Sequence, residues 1–154
     1  MLLLVLLLIA TPLTAQQFEA GFYLTQEKTQ GCERTVKLSQ KKKDYLCLTP
    51  KPIVPSSEFV SISNIVVDNT EGISYADLTV SEEAARVLRA LVSSFSGSTM
   101  VLILNNRPAG ILNYNRSPLD RENQIRISVE HLKGDMTQVH SELKAIVEEN
   151  ERRQ

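Results

Sequence analysis

The chain has 154 residues, 42% of them hydrophobic, with 17 basic against 18 acidic side chains and a formal charge of −1. A near-neutral molecule of this size has no global electrostatic pull towards nucleic acid, and it is long enough for one domain with a sizeable core. Its two cysteines and two histidines are too far apart for the ligand spacing of a zinc module.

Met1 to Leu13 (MLLLVLLLIATPL) is almost wholly apolar and uncharged. It is short for a bilayer span, which takes roughly 20 apolar residues. Leu13-Thr14-Ala15 then has the pattern that a signal peptidase reads, ahead of polar Gln16-Gln17. The layout predicts a cleaved signal peptide over 1–15, a secreted or periplasmic location, and no stable membrane span after cleavage. An uncleaved anchor is the alternative.

Residues 16–49 read as an N-terminal β-hairpin region, with short strands at Phe22-Tyr23-Leu24, Val36-Lys37-Leu38 and Tyr45 to Leu48. In an oxidising compartment Cys32 and Cys47 are expected to pair, closing a loop of about 15 residues for roughly 3 kcal/mol of chain entropy. Free or catalytic thiols are the other reading. Lys41-Lys42-Lys43, with Arg34 and Lys37, form a local basic patch. It suits an acidic partner or an anionic surface; equally, lysines at a hairpin tip discourage edge-to-edge pairing. Thr49 to Pro55, with three prolines, reads as an extended connector.

Residues 50–147 form the main unit. Phe59 to Val67 (FVSISNIVV) predicts a strand with one buried face, Asp68 to Gly72 a five-residue turn, and Ile73 to Val80 the returning strand. Thr79-Val80-Ser81-Glu82 fits a capping box, with Ser81 as an alternative cap. Ala84, Leu88, Leu91 and Phe95, widened by Val87 and Val92, then make a helical stripe closed at Gly97. Met100 to Leu104 reads as a central strand covered on both faces. Asn105-Asn106 is a turn that tolerates positive φ, and Pro108 resists pairing.

Asn113 to Asn123 is a polar loop of possible interest, holding Tyr114, Arg116 and the glycosylation sequon Asn115-Arg116-Ser117. Gln124 to Val129 supplies a further strand. Asp135 opens a last helix whose stripe is Met136, Val139, Leu143, Ile146 and Val147, and 148–154 reads as a charged, frayed tail. The class is α+β: a mixed or antiparallel sheet, two amphipathic helices packed on one face, and the N-terminal hairpin region.

Pro52 to Val129 resembles the head subdomain of the first large periplasmic region of SecD/SecF-type protein-export membrane proteins. The points of resemblance are SSEFVSISNIVVDN, ADLTVSEEAARVLRALVSS, STMVLILNNRPAGIL and QIRIS. Leu78-Thr79 and Ala84-Ala85 match the family's helix start, and Asn105-Asn106 stands at its acidic-glycine turn. Ala109-Gly110-Ile111-Leu112 departs from the small-small-Pro segment that follows there. The resemblance implies an α+β head fold and contact with unfolded or exported chains. It does not imply proton-driven export, which needs membrane-embedded carboxylates.

No pattern for a cofactor, metal or catalytic residue stands out. His131, after the QIRISV strand, and His140, on the last helix, could in principle join Glu142 or Asp135, but no Gly-x-Ser-x-Gly elbow or phosphate-binding glycine loop is present. Asp68, Glu71 and Asp77 are explained by turn and edge solvation. Two readings stand. One is a non-catalytic exported module that binds a protein or peptide through a sheet edge, the 113–123 loop (Tyr114, Arg116) or the lysines 41–43. The other is a small secreted hydrolase with a dispersed Ser/His/acid site. They separate on whether a histidine meets both a Ser or Cys and a carboxylate in one cleft.

Overall fold

The computed structural model describes residues 17–26, 32, 34–38, 45–94, 99–113, 119–129, 132 and 134–153. The expected signal segment, Phe95 and Gly97 lie outside these.

The strands fall where β-branched and aromatic residues cluster, but they assemble into two antiparallel sheets where one was expected. The first runs β2 (Arg34–Lys37), β3 (Tyr45–Leu48), β1 (Gly21–Gln26), β8 (Thr99–Leu104), β9 (Arg107–Asn113), with the two-residue β4 (Val54–Pro55) also on β1. The proline-rich segment is extended as expected. A Cβ on Gly21 would lie 2.5 Å from the Val54 carbonyl oxygen, so only glycine lets β4 come this close. β1 pairs with β8 from Gly21↔Ile103 to Leu24↔Met100. Strands from the 16–49 region and the 50–147 unit therefore share one sheet, and the connector does not part them.

β8 is central and covered on both faces, as its apolar run predicts. Met100, Leu102 and Leu104 join the main core, while Val101 and Ile103 meet Tyr23, Val36 and Leu48 on the other side. The β2–β3 hairpin supplies that second cover, as β2 curls back towards β9. Asn105 and Asn106 take φ of 47° and 60° between the paired ends Leu104 and Arg107, the left-handed tight turn that asparagine tolerates. Pro108 does enter the ladder, opposite Ile103; the register slips there and Ala109 bulges into the core.

The second sheet runs β10 (Leu119–Arg121), β11 (Gln124–Ser128), β7 (Ile73–Val80), and on the far side of β7 both β5 (Phe59–Ile62) and β6 (Val66–Asp68). The 113–123 segment is thus partly strand, a hairpin turning at Glu122-Asn123. Ala76, Leu78 and Val80 of β7 and Ile125 and Ile127 of β11 face the main core.

Helix α1 (Glu82–Ser94) starts at Ser81, whose Oγ accepts the Ala84 N–H at 3.1 Å; Thr79 stays in β7. Its buried face is Ala84, Ala85 and Leu88, with Leu91 half-buried beside it. Helix α2 (Met136–Arg153) is capped by Asp135, whose Oδ1 accepts the Thr137 N–H at 2.8 Å. It buries Met136, Val139, Leu143 and Val147. The expected frayed tail is instead helical to Arg153, because Asn150 Nδ2 donates to the carbonyls of Ser56 (2.8 Å) and Phe59 (3.0 Å). Both helices and both sheets contribute to one core, in which Phe22 lies 5.6 Å from Phe59 and each large side chain contributes about 1.5–3 kcal/mol by burial.

Candidate functional site

The second sheet has a side where pairing stops. β7 spans eight residues, longer than any one strand on its outer flank. β5 takes its C-terminal half, with Phe59↔Val80 and Ile62↔Leu78; β6 takes its N-terminal half, with Val66↔Tyr75 and Asp68↔Ile73. Between them Ser63-Asn64-Ile65 leaves the ladder, so FVSISNIVV makes two strands and not the single one expected. The Ser63 N–H donates to the Asp77 carbonyl, and the Ser63 Oγ accepts the Asp77 N–H, each at 2.9 Å. A side-chain oxygen thus stands in for a ladder bond.

α2 treats the two strands differently. Asn150 caps the Phe59 carbonyl, and His140 Nε2 lies 2.9 Å from the Ser63 carbonyl. The helix then ends at its N-cap, and its first turn lines an open hollow of about 420 Å³ with Ile65, Val67, Ile73, Val129, Met136 and Thr137. On the β5 side of His140 a more polar hollow of about 340 Å³ is lined by Ser61, Asn64, Lys144 and Glu148. Past that point β6 pairs with β7 alone among the described residues, and Val66 and Val67 are 43% and 60% exposed. Val60, the extra residue where the β5 register slips, is 48% exposed.

The β6–β7 turn is held by Asp68. Its Oδ1 accepts the N–H groups of Thr70 (2.8 Å) and Glu71 (3.2 Å), and its carbonyl accepts that of Gly72 (2.8 Å), which sits at φ 70°. Those two amide bonds, Thr70's first, hold the carboxyl below its ordinary value. Four residues, 69–72, form the loop, one fewer than expected. On the sheet face away from the core, Arg126 Nε donates to Asp77 Oδ1 at 3.0 Å, and its guanidinium lies 4.0 Å from the Tyr75 ring centre. Asp68 and Asp77 thus serve the turn and an ion pair.

Of the residues singled out from sequence, Cys32 and Cys47 are joined in a disulfide, Cα atoms 5.6 Å apart. Lys41, Lys42, Lys43, Tyr114, Arg116 and His131 lie outside the described residues, as does the sequon. His140 meets a backbone carbonyl with its Nε2, and the Ser63 hydroxyl beside it donates to the Asn64 carbonyl. The Asn105–Arg107 tip does more than turn the chain. Asn106 Oδ1 accepts the Phe18 N–H at 2.6 Å, and Arg107 pairs with Glu142 on α2 at 2.6 Å. Missing from the sequence reading was the exposed β6 edge. Its only local sign is the polar Ser63-Asn64 that interrupts the apolar run.

No family model and no curated protein matches the chain. Among solved structures the fold is similar to that of SecDF, a membrane component that enhances protein export, with a TM-score of 0.55 and 16% identity over 84% of this chain and 62% of that one. It is similar also to SecDF in a super-membrane-facing form, with a TM-score of 0.55 and 16% identity over 82% of this chain and 18% of that one. The chain therefore spans less than two thirds of either neighbour. What it shares with them is the fold, and the likeness extends beyond the Pro52–Val129 segment that carried the sequence resemblance.

Proposed function

We propose that this is a non-catalytic exported domain that binds an extended segment of another protein by adding it as a strand to the outer edge of β6. The observation that carries the reading is the edge itself: Val66 and Val67 stand exposed on a strand that, among the described residues, is paired along one side only, and Val67 borders a hollow that Ile65, Ile73, Val129 and Met136 line together with Ser74, Asp135 and Thr137. An exposed edge with apolar side chains is a template for pairing, and proteins that do not use one usually cover or charge it. Main-chain hydrogen bonds would give affinity with little sequence demand. Every second side chain of the bound segment would enter the hollow over Ile65 and Met136. That suits a partner met while unfolded, as export machinery meets its cargo. The fold shared with SecDF, the signal-like 1–15 segment and the disulfide support placing this activity outside the cytoplasm, in the periplasm or beyond. Lys41, Lys42, Lys43, Tyr114 and Arg116 are proposed as auxiliary contacts for acidic or polar flanks of the same partner.

The test is titration of the chain with a short peptide alternating valine and threonine, followed by hydrogen exchange. Binding should slow exchange at Val66 to Asp68, and Val67→Lys should weaken it at least tenfold without lowering the melting temperature. Equal binding by the Val67→Lys variant removes β6 as the site. With acidic residues added to the flanks of the peptide, charge reversal of Lys41, Lys42 and Lys43 should slow association and reduce its salt dependence.

A further inference from the structure

The bridge between Cys32 and Cys47 is asymmetric. Cys47 is 3% exposed, in β3, where Thr35 of β2 pairs with it on one side and Gln26 of β1 on the other. Cys32 precedes β2, is only half-buried, and lines an open, mainly apolar cavity of about 400 Å³ with Thr35, Cys47 and Tyr45, the last 42% exposed. Both cysteines border the cavity, but Cys32 is the more exposed of the two and so the easier for an incoming reagent to reach.

The hairpin that this bridge closes joins the sheet through β1. Among the described residues β3 is paired with β1 at Thr25↔Leu48 and Gln26↔Cys47, continued by the Thr49 N–H donating to the Leu24 carbonyl, whereas β1 meets β8 through four pairs. Yet Val36 and Leu48 of the hairpin help to keep Val101 and Ile103 of β8 from any solvent contact. The cover over the back of β8 therefore rests on eight strand residues and a small apolar cluster, with the bridge closing the hairpin on itself.

We propose that the Cys32–Cys47 bridge is a thiol-exchange site entered at the Cys32 sulfur, and that its reduction lets the β2–β3 hairpin unfold locally and so uncover the back of β8. The reductant is an external dithiol. Its thiolate attacks Cys32 Sγ in line with the S–S bond; a new S–S bond forms to Cys32 as the bond to Cys47 breaks, and the electron pair leaves on Cys47 Sγ, which takes a proton from water. The reductant's second thiolate then attacks its own sulfur in the mixed disulfide, releasing the oxidised reductant and the Cys32 thiolate, which is protonated in turn. Two electrons pass and every sulfur is accounted for. Buried Cys47 is poorly placed to leave as a thiolate, because its surroundings cannot solvate the charge. The exchange is therefore completed as β3 shifts outward, which couples the chemistry to opening of the hairpin. Once reduced, the hairpin loses the loop restraint and opens about 100-fold more often. Val101 and Ile103 are what it uncovers.

The experiment uses the full oxidised chain and glutathione as probe. Brief exposure, acid quench and peptide mapping should find the glutathionyl adduct on Cys32 in several-fold excess over Cys47; an equal or reversed ratio overturns the assignment of the entry sulfur. Hydrogen exchange then compares oxidised protein with protein held reduced. Amides of β2 and β3 should exchange about 100-fold faster on reduction while those of β7 keep their rates. Unchanged rates in the hairpin overturn its release, and a matching loss in β7 overturns it too, by showing that the whole fold opens.

Discussion

β5 and β6 lie in line along the same flank of the same strand, are three or four residues long, and come from one apolar run, yet they meet different fates. β5 sends Phe59 into the core and has its Phe59 carbonyl capped by Asn150 of α2. β6 places two exposed valines beside the point where α2 begins. The difference is set by where a helix starts, not by strand propensity. Asp135 caps α2 next to Val129 and Ile65, so the helix has no turn left with which to cover β6. An edge is protected or available according to what packs beside it.

The comparison breaks most visibly in stability. Phe59→Ala should cost about 3–5 kcal/mol in denaturant unfolding, since it empties a site 1% exposed and packed on Phe22. A loss below 1 kcal/mol would place β5 outside the core and erase the contrast. Asn150→Ala should cost about 1–2 kcal/mol, because the Phe59 carbonyl loses the side-chain amide and the Ser56 carbonyl keeps only the Phe59 N–H, and should speed amide exchange in β5 more than in β6. Uniform acceleration would mean that α2 merely adds bulk. Val66→Thr and Val67→Thr together should stay within about 0.5 kcal/mol of the parent, as exposed substitutions do, while lowering affinity for the extended peptide. Destabilisation comparable to that of Phe59→Ala would show that the valines are packed and the edge is closed.

How much of this could be read from the chain follows from the range of the forces involved. Local signals were legible. Asn105-Asn106 named its own turn, Asp135 its own cap, and Met136, Val139, Leu143 and Val147 the face of α2. Pairing partners were not legible, because alternation tells a strand which face is buried but not which neighbour it takes. β1 lies against β8 across more than 70 residues of chain, and nothing in either strand announces the other. That is why a separate hairpin region and one sheet were expected where two sheets share a core. Val66 and Val67 misled for a related reason. Their type predicts burial, and only the position of α2, set by residues far along the chain, leaves them bare. Residues 148–154 looked frayed because they are charged, but Asn150 grips Ser56 and Phe59 across the fold. The disulfide was the legible long-range contact, since two cysteines allow one pairing.

The smallest expected effect concerns the turn that ends β6. The Asp68 carboxylate accepts the N–H groups of Thr70 and Glu71, and these bonds favour its charged form, placing its pKa in the fold below the ordinary 3.8. The sign follows from linkage. A depressed pKa contributes stability that is fully present above the unfolded value and is lost as pH falls through the folded one. Between neutral pH and about pH 5 the turn should therefore be unchanged. As pH falls below 3.8 the carboxyl gains its proton, Oδ1 becomes a poorer acceptor, and the Thr70 and Glu71 amides should lose protection before those of β5. Because the carboxylate sits in a surface turn and its bonds are local, global stability should barely register the change, and the readout is local exchange or the chemical shifts of those two amides. Asp68→Asn keeps an acceptor oxygen but no titrating charge, so it should flatten the pH response at Thr70 and Glu71. If the response persists in that variant, another acid controls the turn. If β5 opens at the same pH as the turn, the two strands form one cooperative unit, and the contrast between a protected and an available edge fails.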